Sequence, residues 1–333
     1  MGVKPGGNPQ LSHRYDPRYG SAEKSKTKSL RLQRAGDQPR QMHINRRTFL
    51  RLAGGAAITT GLGGTIVGYA AEFEPNNLVL ERKQVRLPLL PSAFDGFRIV
   101  LLTDFHLHPF TAAGFIRHIV EVSNSLKPDL VLLGGDFVCG SAEAAFELGP
   151  ILESLDARHG VFAVLGNYDH YRGARIVLEA LRRTSICVLM NEGVRLTLGE
   201  ASIFLAGIDS VCFGHPNPRA AFSTRRNEAI SLALVHEPDY VNRLSKLVPL
   251  DLQLSGHTHG GQVRLPGFGA VVLPPWGQTY VEGLYRVGTS QVYTTRGIGM
   301  VGVPFRFNCP PEVTEITLVQ GVELSKMMAT GAG

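Results

Sequence analysis

Phe97-Arg98-Ile99-Val100-Leu101-Leu102-Thr103-Asp104 is a continuous apolar run that stops at a carboxylate, and a helix-length segment near 112–126 follows it. The same unit returns twice. Asp129-Leu130-Val131-Leu132-Leu133 ends at Gly134-Gly135-Asp136 before a helical stretch near 142–154, and Gly160-Val161-Phe162-Ala163-Val164-Leu165 ends at Gly166-Asn167 before another near 173–183. Runs that are apolar on both faces read as strands buried between covering layers, and their alternation with helices reads as a mostly parallel sheet of an α/β fold. In such sheets the sites form beyond the carboxyl ends of the strands, so the polar residue closing each run is a candidate site residue.

The second half is richer in strands. Arg195 to Leu198 and Ser202 to Ala206 read as a hairpin, and Ile230 to Val235 and Leu250 to Leu254 are further apolar runs around a helix near 238–247. Both runs lead into histidines. Later runs at 270–273, 291–295 and 313–319 read as antiparallel strands, and the tail after about 325 reads as frayed.

The polar residues that follow the runs are Asp104, His106, Asp136, Asn167, His236, His257 and His259. Singly, an Asp after a strand is a common helix cap, and an Asn after a Gly is a common turn residue. Together, seven oxygen and imidazole donors at strand ends suit two divalent cations, manganese, iron or zinc, with one carboxylate shared between them. Two ions about 3.5–4 Å apart lower the pKa of a shared water and clamp a phosphoryl group for in-line attack.

These blocks, Asp104-Phe105-His106, Gly134-Gly135-Asp136, Gly166-Asn167, Val235-His236 and Gly256-His257-Thr258-His259, resemble in order those of the calcineurin-like metallophosphoesterases. Gly260-Gly261-Gln262, Arg296-Gly297-Ile298-Gly299 and Cys309-Pro310-Pro311-Glu312 are similar to the membrane-associated branch of YkuE/YaeI-like phosphodiesterases. The resemblance spans roughly 95–320. It implies a four-layer α/β/β/α sandwich, with Asp104, His106, Asp136 and His259 on one metal and Asp136, Asn167, His236 and His257 on the other. One position departs from the pattern, because the family's usual Gly-Asn-His reads Gly166-Asn167-Tyr168, followed by Asp169-His170. Three readings stay open: Tyr168 bonds a non-bridging oxygen, His170 oriented by Asp169 serves as the acid, or the leaving group needs none. Asp136, Tyr168, Asp169 and His170 are thus the catalytic candidates, while His108, Arg296 and, as a lesser candidate, Arg264 are candidates for binding substrate phosphate.

The chain has 333 residues, 44% of them hydrophobic, which is ample for a core. Its formal charge of +6 is misleading: residues 1–51 hold 12 Lys+Arg and 3 Asp+Glu of the chain's 34 and 28, leaving 22 against 25 in 52–333. No basic stripe marks the body, which argues against nucleic acid as a partner. Cys139, Cys187, Cys212 and Cys309 are too scattered for a zinc knuckle or disulfide framework and read as buried free thiols.

Residues 1–45 read as a disordered basic extension. Asn45-Arg46-Arg47-Thr48-Phe49-Leu50-Arg51, followed by the uncharged Leu52–Ala71, resembles a twin-arginine signal over 46–71, with Met42 a plausible true start. The segment could be cleaved after Gly68-Tyr69-Ala70 or remain as an anchor, since about 20 apolar residues span a bilayer. The expected partners are the export machinery, the membrane and a phosphorylated small molecule or lipid, with the catalytic domain over 72–325, monomeric, membrane-associated or exported to the periplasmic side. The expected activity is metal-dependent hydrolysis of a phosphodiester or pyrophosphate bond in a lipid-linked or envelope substrate. Alternatives are a UDP-2,3-diacylglucosamine-type pyrophosphate hydrolase of lipid A biosynthesis and a non-catalytic metal-binding envelope protein.

Overall fold

A computed structural model describes residues 64–65 and 67–321. Met42, the arginine pair, most of the leader and the tail from 322 lie outside the described residues. Among the described residues, no helix is long and apolar enough to cross a membrane.

The three apolar runs are strands β2 (Arg98–Leu102), β3 (Leu130–Leu133) and β4 (Val161–Ala163), mutually parallel in register. Helices α1 (Ala113–Ser125), α2 (Ala145–Leu152) and α3 (Asn167–Leu181) alternate with them. The third helix starts at Asn167 rather than near 173, and it is broken at Gly173, whose φ of 143° is not helical. Flanking strands β1 (Val79–Leu87), β5 (Cys187–Val188) and β14 (Glu312–Gln320) complete a sheet in the order β1-β14-β2-β3-β4-β5. The first of these was not foreseen, since Glu81, Arg82, Lys83 and Arg86 mask its alternation, which suits a half-solvated edge.

A second six-stranded sheet holds β6 (Glu192–Leu198), β7 (Ala201–Ile208), β8 (Ser231–Val235), β9 (Leu252–Ser255), β12 (Gly283–Val287) and β13 (Ser290–Thr294). The hairpin is β6–β7, and α5 (Val241–Leu247) links the parallel β8 and β9, while the short α4 (Pro218–Ala221) lies between β7 and β8. The late strands are not simply antiparallel. Strand β13 runs parallel to β9 and antiparallel to β12, and β14 runs antiparallel to β2 and parallel to β1. Of the 270–273 run, only Ala270 pairs, in a ribbon of β10 (Arg264–Leu265) with β11 (Gly269–Ala270) outside both sheets.

The pleat sorts alternate residues into layers. Ile99, Leu101, Leu130 and Leu132 face Leu205, Leu232, Leu234, Leu252 and Leu254 between the sheets. Val100, Leu102, Val131 and Leu133 face the first helical layer, and Phe204, Ala206, Ala233 and Val235 face Tyr240, Val241 and Leu244 on the other side. This is a four-layer α/β/β/α sandwich. The thiols are not uniformly buried: Cys139 and Cys309 are, whereas Cys187 is exposed and Cys212 half-buried. Packing also begins before residue 72, since Ala70 is buried and its carbonyl accepts a hydrogen bond from the Arg306 N–H at 3.0 Å.

Leu232 is fully buried between the sheets. Leu232→Ala is expected to lower unfolding stability by about 2–5 kcal/mol, read as a lower urea midpoint at unchanged slope.

Candidate metal centre

Asp104 and His106 follow β2, Asp136 follows β3, Asn167 opens α3 after β4, His236 follows β8, and His257 and His259 follow β9. Five strand ends thus meet at one edge of the sandwich, and every one of these side chains is buried. The turns are tight: Asp104, His106, Asp136, His257 and His259 have φ of 57°, 43°, 55°, 73° and 52°, in the left-handed region that non-glycine residues avoid. Each such residue costs about 1–3 kcal/mol, a cost the surrounding structure must offset. Gly135 and Gly166 allow the approach. A Cβ on Gly135 would stand 2.3 Å from the Gly166 nitrogen, and one on Gly166 would stand 2.2 Å from Asp136 Oδ1.

Asp136 Oδ2 lies 3.3 Å from both His106 Nε2 and His236 Nε2. Asp104 Oδ1 lies 3.5 Å from His259 Nε2 and 3.9 Å from His236 Nε2. His106 Nε2 and His259 Nε2 face each other at 3.0 Å, and Asn167 Oδ1 lies 3.0 Å from His236 Nε2 and 2.8 Å from His257 Nδ1. Hydrogen-bond partners fix two tautomers. His236 Nδ1 donates to the Gly134 carbonyl at 2.7 Å and His257 Nε2 to the Pro275 carbonyl at 2.8 Å, so in their neutral forms the opposite nitrogens point lone pairs inward. Carboxylate, amide oxygen and imidazole groups therefore converge, and the backbone N–H groups of His257 and Tyr168, which bond Asp104 and Asp136, answer only part of their negative charge. A divalent cation satisfies such a set, and Asp104, His106 and His259, and likewise Asp104, Asp136 and His236, have donor atoms close enough to hold one.

The titration behaviour follows. Burial alone would lower the His236 pKa, but Asp136 and Asp104 pull it well above its ordinary value. Burial and the neighbouring His106 push His259 well below its ordinary value. Burial would raise Asp136, yet His236 and His106 hold its carboxyl well below the usual range.

The other sequence candidates sort differently. Asp169 is a brace rather than a partner of His170: its carboxylate accepts from the backbone N–H of Asp136 and Phe137 at 2.8 Å and of Gly166 at 2.9 Å. Burial and the charge of Asp136 push it up to about 7, but those donors leave no acceptor for a proton, and the turn is built around the carboxylate. His170 Nε2 bonds Asp209 Oδ1 at 2.6 Å and does not line the cleft. His108 pairs with Glu147 at 3.0 Å, half-exposed, and Arg296 pairs with Glu312 at 3.1 Å and reaches Glu81 at 3.7 Å. Arg264 pairs with Glu282. Each of these side chains has a carboxylate partner. Tyr168, by contrast, lines the cleft with its ring edge-on to His106 at 4.9 Å, and burial raises its pKa.

The cleft over the donors has a volume of about 490 Å³, and its far wall is apolar: Val263, Val271, Val272, Val301, Val303 and Phe305. Gln262 organises that wall, its amide nitrogen lying 3.0, 3.1 and 3.2 Å from the carbonyls of Val301, Val303 and Phe305. Arg306, fully buried, ties the carbonyls of Arg296, Gly297, Gly299 and Cys309 together. Neither role was read from the sequence. Gln262 was noticed only as part of the Gly260-Gly261-Gln262 extension, and an isolated arginine near a proline carries no signal of burial.

The family model described as calcineurin-like phosphoesterase matches residues 97–261. The chain is 34% identical over 283 residues to the metallophosphoesterase YkuE of Bacillus subtilis (strain 168), covering 83% of this chain and 98% of that protein. It is 34% identical over 280 residues to phosphodiesterase YaeI of Escherichia coli (strain K12), covering 83% of this chain and 100% of that one. A transmembrane protein with metallophosphoesterase domain from Danio rerio is 31% identical over 251 residues, covering 71% of this chain and 56% of that protein.

Chelator-treated protein is expected to unfold at a lower temperature than protein reloaded with manganese, and Asp136→Asn to remove most of that difference in differential scanning calorimetry, since it replaces an acceptor by a donor. His170 gives a pH prediction. Burial would lower its pKa, but the bond to Asp209 and that residue's charge raise it above the usual value. The stabilisation it brings is therefore complete below about pH 6.5 and is lost as pH rises through the raised folded value. Between pH 6 and 9, wild type should lose about 1.5 kcal/mol relative to His170→Gln in urea titrations, the scale of a hydrogen bond to a charged group.

Proposed function

The chain belongs to the calcineurin-like metallophosphoesterases, and from that premise we propose that its cleft cleaves a phosphodiester or pyrophosphate bond in a lipid-linked or cell-envelope substrate with the help of two divalent cations. Family membership makes it a hydrolase of phosphoester bonds. The single observation that carries the finer reading is the pairing of a cluster of metal-ligating side chains with an apolar wall across one cleft.

Asp104, His106, Asp136 and His259 would hold one cation, and Asp136, Asn167, His236 and His257 the other. The equal 3.3 Å distances from Asp136 Oδ2 to His106 and His236 favour Asp136 as the shared ligand. When bound, the cations neutralise phosphate charge and activate water for in-line attack. The protein's own groups then position the substrate. Asn167 presents its amide oxygen to both His236 and His257, held there as the first residue of α3. The Tyr168 hydroxyl holds its proton through burial, which suits donation to a non-bridging phosphate oxygen and not proton transfer to a departing alkoxide. With His170 engaged by Asp209, no side chain of the described cleft offers a general acid of ordinary kind, which favours an anhydride or another good leaving group.

The lipid part rests on the six apolar residues of the far wall, to which a phosphate group alone offers nothing complementary. Placement at or across the cytoplasmic membrane rests on the Arg46-Arg47 leader and its uncharged continuation.

With manganese, the purified protein is expected to hydrolyse bis-p-nitrophenyl phosphate. Asp136→Asn should lower kcat/KM at least about 100-fold, and Tyr168→Phe about tenfold through loss of one hydrogen bond to a charged oxygen. Tyr168→His should raise activity towards esters with poor leaving groups. Wild type with two cations bound per chain yet inactive on this diester, on p-nitrophenyl phosphate and on a pyrophosphate-linked lipid would instead support a binding protein.

A further inference from the structure

Many of the exposed apolar side chains lie along one hydrogen-bonded succession of segments, while others, among them Leu89, Tyr171 and Phe213, lie outside it. Phe268 is 89% exposed, Val272 74% and Leu265 46%, at the end of β10 and in the excursion that follows it. That excursion is stitched to the 301–307 segment, since the Arg264 N–H donates to the Phe307 carbonyl at 2.8 Å and the Phe307 N–H to Gln262 at 3.0 Å. The 301–307 segment in turn donates from Arg306 to Ala70, beside which Val67 is 64% and Phe73 59% exposed. Val303, itself 37% exposed, joins this face to the wall of the cleft.

We propose that this face docks on a lipid bilayer, the 265–273 loop dipping into it and the cleft opening at its surface, so that an acylated phosphoester enters along the apolar wall. Two observations select a bilayer over a protein partner. From Leu265 to Val281 the chain carries no charged residue, so the loop offers no charge pattern by which a partner would be chosen, only apolar protrusions suited to the acyl boundary. Ala70, which belongs by sequence to the uncharged stretch 52–71, also bonds the 301–307 segment at this face, so a membrane holding that stretch would lie against the same side. The inference deepens the lipid-linked reading given above. Its measurement uses no substrate, so a failure to dock and a failure to hydrolyse are told apart.

The test uses the full chain carrying Phe268→Trp and Trp276→Phe, which leaves a single tryptophan, at position 268, because Trp276 is the only native one. With phosphatidylcholine vesicles brominated in the acyl chains, emission from position 268 should shift to the blue and fall at least about twofold, and 0.5 M salt should not reverse this, as expected of apolar insertion. A control with Leu247→Trp and Trp276→Phe, whose reporter sits at the end of α5, should stay unquenched. Adding Val272→Asp to the 268 reporter should abolish the quenching. The proposal is overturned if the protein sediments with vesicles while position 268 stays unquenched, if both reporters are quenched alike, if Val272→Asp changes nothing, or if the full chain does not bind vesicles at all.

Discussion

The convergence of buried carboxylate, amide and imidazole groups from five strand ends is the constraint around which this protein is organised. Asp104, Asp136, Asn167 and four imidazoles are withdrawn from water with their lone pairs facing one another. Two buried carboxylates this close repel, and the N–H groups of His257 and Tyr168 that bond them offset only part of that cost. Burial would lower the His236 pKa, yet Asp136 and Asp104 raise it well above its ordinary value, which marks the concentration of negative charge at this point. The fold also fixes orientation: carbonyls of Gly134 and Pro275 set which nitrogen of His236 and His257 faces inward.

That convergence dictates the backbone around it. Five strand ends must present their side chains within a few ångströms, which forces five of the residues into left-handed turns and brings the Gly135 and Gly166 segments into contact closer than any Cβ allows. Asp169 holds the arrangement from behind, clamping the turns after β3 and β4 through their N–H groups. It bears on the chemistry by holding Asp136 and Asn167 in position, which is why its apparent pairing with the next residue along the chain misleads.

The cleft divides its labour between two walls. The polar wall is built by strand ends of both sheets and suits a phosphoryl group, while the apolar wall comes from the loops after β9 and β13, secured by Gln262 and Arg306 through backbone carbonyls. The same loops carry the protruding Phe268 and Val272, so the apolar wall of the cleft and the exposed apolar side chains lie on the same elements. The phosphate-handling machinery, by contrast, is fixed to the rigid sandwich.

The sequence by itself determined the α/β class, most of the parallel strands and the donor set, because a strand buried on both faces has to be apolar throughout and the polar residue that ends it stands out. It also showed that position 168 departs from the family pattern. It did not reveal β1, whose edge position lets charged residues interrupt the alternation, nor the parallel pairing of β13 with β9, which depends on partners distant in the chain. The roles of single polar residues were decided only in three dimensions. His170, His108 and Arg296 lie near the motifs in sequence, yet each is taken up by a carboxylate from another segment, Asp209, Glu147 and Glu312. Pattern along the chain reports which residues must be buried or must end a strand; which charge meets which is settled by tertiary packing, because a side chain bonds the partner that the fold brings within about 3 Å, however far away it lies in sequence.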